Sequence, residues 1–194
     1  MMLLFVLPCY PLLSLSMPTP IAHALAGTAV YLSASRGAHR RRENLWLFAA
    51  SVVAACFADL DFGLSFLTGE NYHHYFTHSI AFASLFAIGS YFFARLNQRV
   101  APLQDAWVLG LAYLTHLGLD AFSKDTSAPY GIELWWPFSE AFYIAPFTVF
   151  DDIWRGTLAK LLSLHNWLAV GREVLVVGPA VLFVWWRRRQ SEYS

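Results

Sequence analysis

Residues 103–122 read Leu103-Gln104-Asp105-Ala106-Trp107-Val108-Leu109-Gly110-Leu111-Ala112-Tyr113-Leu114-Thr115-His116-Leu117-Gly118-Leu119-Asp120-Ala121-Phe122, directly after Pro102. Proline is well tolerated in the first turn of a helix, and about 20 predominantly apolar residues cross the roughly 30 Å hydrocarbon core of a bilayer. The segment therefore predicts a membrane helix. It ends, however, in His116 and Asp120, four residues apart and so one turn apart on a single helix face. A carboxylate near the bilayer centre costs roughly 2.5–3.5 kcal/mol on insertion scales, so such a pair needs a partner.

The rest of the chain agrees with a membrane setting. Of its 194 residues, 57% are hydrophobic and only 13% charged, against about 25% charged in ordinary soluble domains. Four further segments read as helices: Ile21 to about Ser35, Asn44 to about Leu60, His78 to about Leu96, and Leu168 to Trp186, where Gly178-Pro179 predicts a kink. The first two are short for a full crossing. The fold class that follows is all-α, a polytopic integral membrane helical bundle with about five membrane segments, forming one domain over residues 17–194. Residues 1–16 are apolar with Pro8 and Pro11, lack a basic start and an obvious cleavage site, and read as an over-extended start or a loosely held segment. Cys9 and Cys56 match no zinc or redox spacing and are expected to be unpaired thiols.

Charge sets the expected orientation. Arg36, Arg40, Arg41 and Arg42 follow the first segment, Arg95 and Arg99 end the third, and Arg187, Arg188 and Arg189 end the fifth. Placing these groups on one side makes all five segments alternate, and the positive-inside rule makes that side the cytoplasm. The opposite side receives Lys124, Arg155, Lys160 and Arg172 together with most of the acids. It also receives His23 at the start of the first segment, Asp59 and Asp61 at the end of the second, His73, His74 and His78 before the third, and His116 with Asp120 at the end of the fourth.

Singly these residues are unremarkable: a histidine at a helix end is usually structural, and a DxD is usually a solvated terminus. His39, among arginines, reads as a solvated loop residue, His165 as interfacial, and Ser79 as a cap or packing residue. Together the set is different. Imidazoles and carboxylates gathered at one membrane face, with few compensating lysines or arginines, point to a bound divalent metal, Zn²⁺ first, with Mn²⁺ or Fe²⁺ also suited to such donors. The expected ligands are His23, Asp59, Asp61, His73, His78, His116 and Asp120, with His73 and His74 competing for one place. Seven donors exceed the need of one tetrahedral zinc, which favours two ions. Such a site lowers the pKa of bound water and polarises an oxygen under attack, so hydrolysis of a phosphoester, amide or ester is the expected chemistry. No nucleophile elbow or Ser-His-Asp order is evident. His74 is the expected residue for substrate contact or proton transfer.

Residues 123–167 form a long outer region in which Trp135-Trp136-Pro137-Phe138 and Phe142-Tyr143 suit the headgroup zone. They read either as an interfacial anchor or as a lid or acyl-chain groove over the polar cluster.

The ordered motifs resemble the membrane-bound metal-dependent hydrolases of the YdjM type, also called the DUF457 family. The similarity rests on Met17-Pro18-Thr19-Pro20-Ile21-Ala22-His23, Asp59-Leu60-Asp61, His73-His74-Tyr75-Phe76-Thr77-His78-Ser79, His116-Leu117-Gly118-Leu119-Asp120 and Gly131-Ile132-Glu133-Leu134-Trp135-Trp136-Pro137-Phe138. It spans about Met17 to Phe138. In the third motif His74 and Tyr75 stand where the family has Arg and Gly. The resemblance implies a hydrolase and a polytopic helical fold.

Three functions are compatible with this pattern. The first is a metal-dependent hydrolase at the outer face of the inner membrane, acting on a phosphoester or lipid-like substrate, with membrane lipid as its surroundings and no nucleic-acid partner. The second is a non-enzymatic divalent-metal carrier or sensor. A carrier needs polar residues deep in several spans, whereas here they gather at one end. The third, a structural membrane protein with a histidine-rich rim, leaves three aspartates unexplained.

Overall fold

The computed structural model describes residues 17–34, 41–70, 72–126, 128–155 and 157–193. The apolar stretch 1–16 lies outside the described residues, as do Arg36, His39 and Arg40 of the basic run. The chain is all-helical: among the described residues the extended backbone forms only isolated bridges, Ser123 to Phe150 and Ile132 to Tyr143.

Helix α1 runs Pro20–Ala34, α2 Arg41–Ala55, α3 Asp61–Thr68, α4 Ile80–Leu96, α5 Pro102–Ala121, α6 Leu158–Leu161 and α7 Leu164–Tyr193. Prolines begin α1 and α5, where a missing N–H is harmless. At α4 the Ser79 side chain accepts from the Phe82 N–H at 3.1 Å, a standard N-cap. That cap leaves His78 outside the helix, in a 3-10 turn Phe76–His78, rather than at the helix start as the apolar pattern suggests.

The segment expected from Asn44 to Leu60 is divided. Helix α2 tightens after Ala55 through i−3 bonds, Cys56 N–H to Val53 and Phe57 N–H to Ala54. A 3-10 turn Ala58–Leu60 follows, then α3, with the two arms bent by 60°. The bend turns Asp61 inward, where it is buried, and leaves Phe66 and Leu67 of α3 exposed. Helix α7 is longer at both ends than the apolar pattern suggests, and it continues through Pro179.

Helix α1 packs against α2, α5 and α7, α2 against α5, and α4 against α5. Small residues set two of these crossings, as in membrane bundles generally. A Cβ on Gly27 would lie 2.6 Å from the Ser51 carbonyl oxygen on α2, and one on Gly110 2.8 Å from Ala87 Cβ on α4. Outward faces are apolar: Leu85, Ile88 and Phe92 on α4, and Leu168, Leu175 and Leu182 on α7, are exposed. Among the described residues, α7 alone is long and apolar enough to cross a bilayer as a single helix. The bent pair Leu45–Ala55 and Ala58–Thr68 passes the same criterion together, and Ile80–Leu96 is a shorter apolar helix.

The basic chain ends gather at one end of the bundle. Arg99 stacks on Trp46 with its guanidinium 4.2 Å from the ring centre, and Arg188 lies 5.7 Å from the Tyr31 ring. Gln104 at the start of α5 donates to the Ala34 carbonyl at the end of α1. The histidines and aspartates of the motifs lie at the other end.

Candidate metal centre

Four elements deliver polar side chains to one point. His116 Nε2 lies 2.9 Å from Asp120 Oδ2, one turn along α5, and 3.1 Å from His78 Nε2. His78 Nε2 is 3.3 Å from the same Asp120 oxygen. Asp59 Oδ1, in the bend after α2, is 3.5 Å from His116 Nε2. His23 on α1 stacks on His116 with ring centres 4.0 Å apart and brings its Nε2 to 3.5 Å from Asp120 Oδ1. The side chains of His23, His78, His116 and Asp120 are fully buried, and Asp59 is the part that reaches the surface, at 16%.

Backbone and carboxylate contacts fix the ring orientations. His116 Nδ1–H donates to the Ala55 carbonyl, the last residue of α2, at 2.8 Å. His78 Nδ1 faces Asp61 Oδ2 at 3.2 Å and Thr77 Oγ1 at 3.1 Å, and Thr77 O–H itself donates to Asp61 Oδ2 at 2.9 Å. Each Nδ1 is thereby committed and each Nε2 is turned to the centre, the arrangement by which outer partners prepare histidine for a metal. Asp61 sits behind His78, and its other oxygen accepts from His73 Nδ1–H at 3.0 Å.

The set meets the requirements of a divalent cation. Asp59, His78, His116 and Asp120 each offer a ligand atom, and these atoms lie within 4.8 Å of one another. A tetrahedral ion with bonds of about 2.0–2.1 Å separates its donors by roughly 3.3–3.4 Å, close to the spacings here. Both oxygens of Asp120, Oδ1 of Asp59 and both ring nitrogens of His23 are buried without a hydrogen bond. Buried polar atoms left so are costly, and a cation would satisfy them.

His73, His74 and His78 form a second group that meets the same distance criterion, so His78 belongs to both. His73 stacks on Phe62 at 4.1 Å. His74 is buried, adopts φ 70 and holds Nδ1 3.7 Å from Asp125 Oδ2. A left-handed conformation at a bulky residue is costly and concentrates at functional sites. The structure thus brings His73 and His74 to the same cluster, with Asp61 between His73 and His78.

These three histidines respond differently to their surroundings. Burial lowers the pKa of His74 well below its ordinary value, helped by His73 and His78, and lowers that of His73 against the pull of Asp61. Burial also disfavours charge on His78, but the close carboxylates of Asp120 and Asp61 outweigh it and raise the pKa to about 10. The field that would hold a proton there is the field that would hold a metal.

Several participants were not singled out in the sequence. Thr77 bridges Asp61 and His78, and its carbonyl accepts from the buried Tyr113 O–H at 2.6 Å. Arg155, half-buried in the long loop, is pushed down by burial and back up by the carboxylates of Asp59 and Glu173, which puts a guanidinium within electrostatic reach of the centre's exposed edge. Glu173 also accepts from the Thr19 N–H at 2.7 Å, tying α7 to the start of α1. A THS sequence flags Thr77, but nothing local flags contacts from residues 113, 155 or 173.

The aromatic region after α5 packs on the histidine motif. The Glu133 N–H donates to the His74 carbonyl at 2.9 Å, Trp136 lies 5.9 Å from Phe76 and Phe142 5.2 Å from Tyr75. Phe138, by contrast, is 89% exposed. The region both covers the cluster's turn and presents aromatic surface outward.

Comparison with known proteins follows the same boundaries. A family model described as YdjM inner membrane protein matches residues 17–193. The chain is 29% identical over 182 residues to the inner membrane protein YbcI of Escherichia coli (strain K12), covering 89% of this chain and 100% of that relative. No solved structure matches.

Proposed function

The chain belongs to the YdjM family of inner membrane proteins, and from that premise we propose that it is a membrane-embedded, metal-dependent hydrolase of phosphoesters. The observation that carries the proposal is the convergence of His78 Nε2, His116 Nε2, Asp120 Oδ2 and Asp59 Oδ1 on one point at distances of 2.9–3.5 Å.

In this reading His78, His116, Asp120 and Asp59 hold the first ion. His23 reaches the second oxygen of Asp120, and His73 and His74 flank a second position beside His78, whose Nδ1 is held by Asp61. Asp61 and Thr77 orient His78 and His73 rather than bind metal. A divalent cation, Zn²⁺ being the best match to this donor set, supplies Lewis acidity and activates water when bound. Substrate approaches at Asp59, the exposed edge, where Arg155 faces the negative charge of a phosphoester. His74, held neutral by burial with Nδ1 3.7 Å from Asp125 Oδ2, is placed to contact the substrate.

The membrane setting belongs to the same proposal. The chain crosses the inner membrane several times, with α1, the α2–α3 pair, α4, α5 and α7 as its segments. The basic end faces the cytoplasm by the positive-inside rule, and the metal centre lies on the opposite side.

A metal carrier would need polar groups continuing along the bundle. The remaining buried acid of α5, Asp105, is neutralised by Arg99 at 2.9 Å, and the interior between it and the centre is built from Val108, Leu109, Ala112 and Tyr113. That interior favours the enzyme over the carrier.

The test is hydrolysis of bis(p-nitrophenyl) phosphate by purified protein in nanodiscs, with and without EDTA and Zn²⁺, beside Zn²⁺ flux into liposomes. Zn²⁺-dependent turnover that His78→Ala removes supports the enzyme. Flux without turnover would replace it with the carrier.

A further inference from the structure

On the other side of α1 and α5 from the metal centre lies a groove of about 980 Å³ bounded by α1, α5, α7 and the loop around Phe150. Its volume falls at the upper end of ordinary ligand sites, roughly 300–1,000 Å³. Small residues hollow it out: Ala29 on α1, Gly118 on α5 and Ala180 on α7 all line it. Its two hydroxyls offer a guest no donor, because Thr115 donates to the Ala112 carbonyl at 2.7 Å and Ser33 to the Ala29 carbonyl at 2.8 Å. The other lining residues are Ala, Val, Leu, Phe and Gly, so an occupant gains chiefly from apolar surface.

Length and position narrow the occupant further. From Leu111, midway along α5, to Phe122 at its C-cap, the first and last lining residues of this segment, the helix rises about 16 Å. One leaflet of a bilayer core is about 15 Å deep. The groove and the metal centre share their walls: Thr115 and Leu119 line the groove while His116 and Asp120, the next residues on α5, line the centre. The mouth at the metal-centre end is lined by paired charges. Arg172 stands one turn before the lining residue Val176 on α7, and the Lys124 N–H donates to the carbonyl of the lining residue Phe150 at 2.9 Å. The Lys124 and Arg172 side chains are about half exposed, in pairs with Asp152 and Asp151, so the mouth is polar where the lining is apolar.

We propose that the groove between α1, α5 and α7 holds one acyl chain of a phospholipid, seated so that the headgroup lies at the polar mouth on the metal-centre end. The identification of that lipid as substrate rests on the hydrolase reading; the binding of the chain does not. The concave shape, the apolar lining, the one-leaflet length and the polar mouth together select a phospholipid chain.

The experiment uses full-length protein in nanodiscs of phosphatidylglycerol containing a fraction with a diazirine-bearing palmitoyl chain, followed by peptide mapping of the photo-adducts. Adducts are expected on the α1, α5 and α7 segments lining the groove. A Cβ at position 118 meets nothing within 4 Å, so Gly118→Trp fills the groove without a backbone clash, and Ala180→Trp fills it from α7. Both should cut groove adducts at least tenfold while retaining bound Zn²⁺. Both should also leave bis(p-nitrophenyl) phosphate turnover near wild type while lowering cleavage of long-chain phosphatidylglycerol at least tenfold. Adducts spread evenly over the lipid-facing residues of α4 and α7, with neither variant changing them, overturn the proposal. Groove adducts without any phosphodiester turnover leave the acyl chain in place and remove the hydrolase. Turnover without groove adducts does the reverse.

Discussion

His78 Nε2 and His116 Nε2, carried by different segments, face each other at 3.1 Å. Both Nδ1 atoms are committed elsewhere, His116 to the Ala55 carbonyl and His78 to Asp61, so two nitrogen lone pairs point at the same space. Two lone pairs at that distance repel unless a proton or a cation lies between them. With Asp120 Oδ2 on the same point, a divalent ion resolves the conflict better than one proton does. Purified protein should therefore contain metal in stoichiometric amount by inductively coupled plasma mass spectrometry. His78→Ala, His116→Ala and Asp120→Ala should each lose nearly all of it. Wild-type protein that stays metal-free after incubation with Zn²⁺ would remove the centre.

Asp61 tests the division between binding and orienting. Its oxygens contact His73 Nδ1, His78 Nδ1 and the Thr77 hydroxyl, not the converging Nε2 atoms. Outer partners of this kind typically contribute 10–100-fold in metal affinity. Asp61→Asn is expected to weaken Zn²⁺ by about that factor while keeping stoichiometric binding at saturating metal. Loss of the site altogether, matching Asp120→Ala, would make Asp61 a ligand instead.

Protonation of His78 competes with metal. Its pKa in the metal-free protein is raised to about 10, above the unfolded value near 6.5. The proton's contribution to stability is thus complete below pH 6.5 and lost as pH rises towards 10. Metal-free protein should become less stable across that window, and bound metal should flatten the slope. Binding at pH 7 should release about one proton from His78, so apparent affinity should climb about tenfold per pH unit. Titration calorimetry in buffers of different ionisation enthalpy reads the proton directly, and a pH-independent affinity between 7 and 9 would contradict the assignment.

Much of this was legible in the sequence because helix spacing is local. Four residues between His116 and Asp120 dictate a shared face, and the prolines at 20 and 102 mark helix starts. The bend after Ala55 was not legible, because Ala58 to Leu67 continues the apolar pattern across a change of direction. Asp61 and Asp59 look alike as a DxD, yet the bend sends one behind His78 and the other to His116. Contacts that close the site over long separations, such as Tyr113 to Thr77, depend on how α5 meets the turn before α4, which no local pattern encodes.

Gly27 measures how closely the bundle must pack to hold the centre. A Cβ there would fall 2.6 Å from the Ser51 carbonyl oxygen and 2.9 Å from Ala55 Cβ, and Ala55 is the residue whose carbonyl fixes His116. Gly27→Leu should destabilise the fold by about 1–3 kcal/mol through overpacking, seen as a lower melting temperature in detergent. It should also weaken Zn²⁺, because moving Ala55 frees the His116 ring. A melting temperature equal to wild type would show that α1 and α2 separate at little cost.

Arg155 decides whether the substrate is charged. It lies half-buried in the loop after α5 and interacts with Asp59 and Glu173, at the edge where the centre reaches the surface. A guanidinium there matches a phosphoester oxygen better than a neutral ester. Arg155→Gln should raise KM for bis(p-nitrophenyl) phosphate about tenfold, the loss of one charge-assisted hydrogen bond of roughly 1.5–3 kcal/mol less the water that replaces it. Its effect on p-nitrophenyl butyrate should be small. Because Arg155 also offsets the charge of Asp59, the variant is expected to bind Zn²⁺ at least as tightly as wild type, so a higher KM cannot be ascribed to lost metal. Equal losses on the two substrates would assign Arg155 to holding the loop against Glu173, and the preference for phosphoesters would then have to come from the metal centre itself.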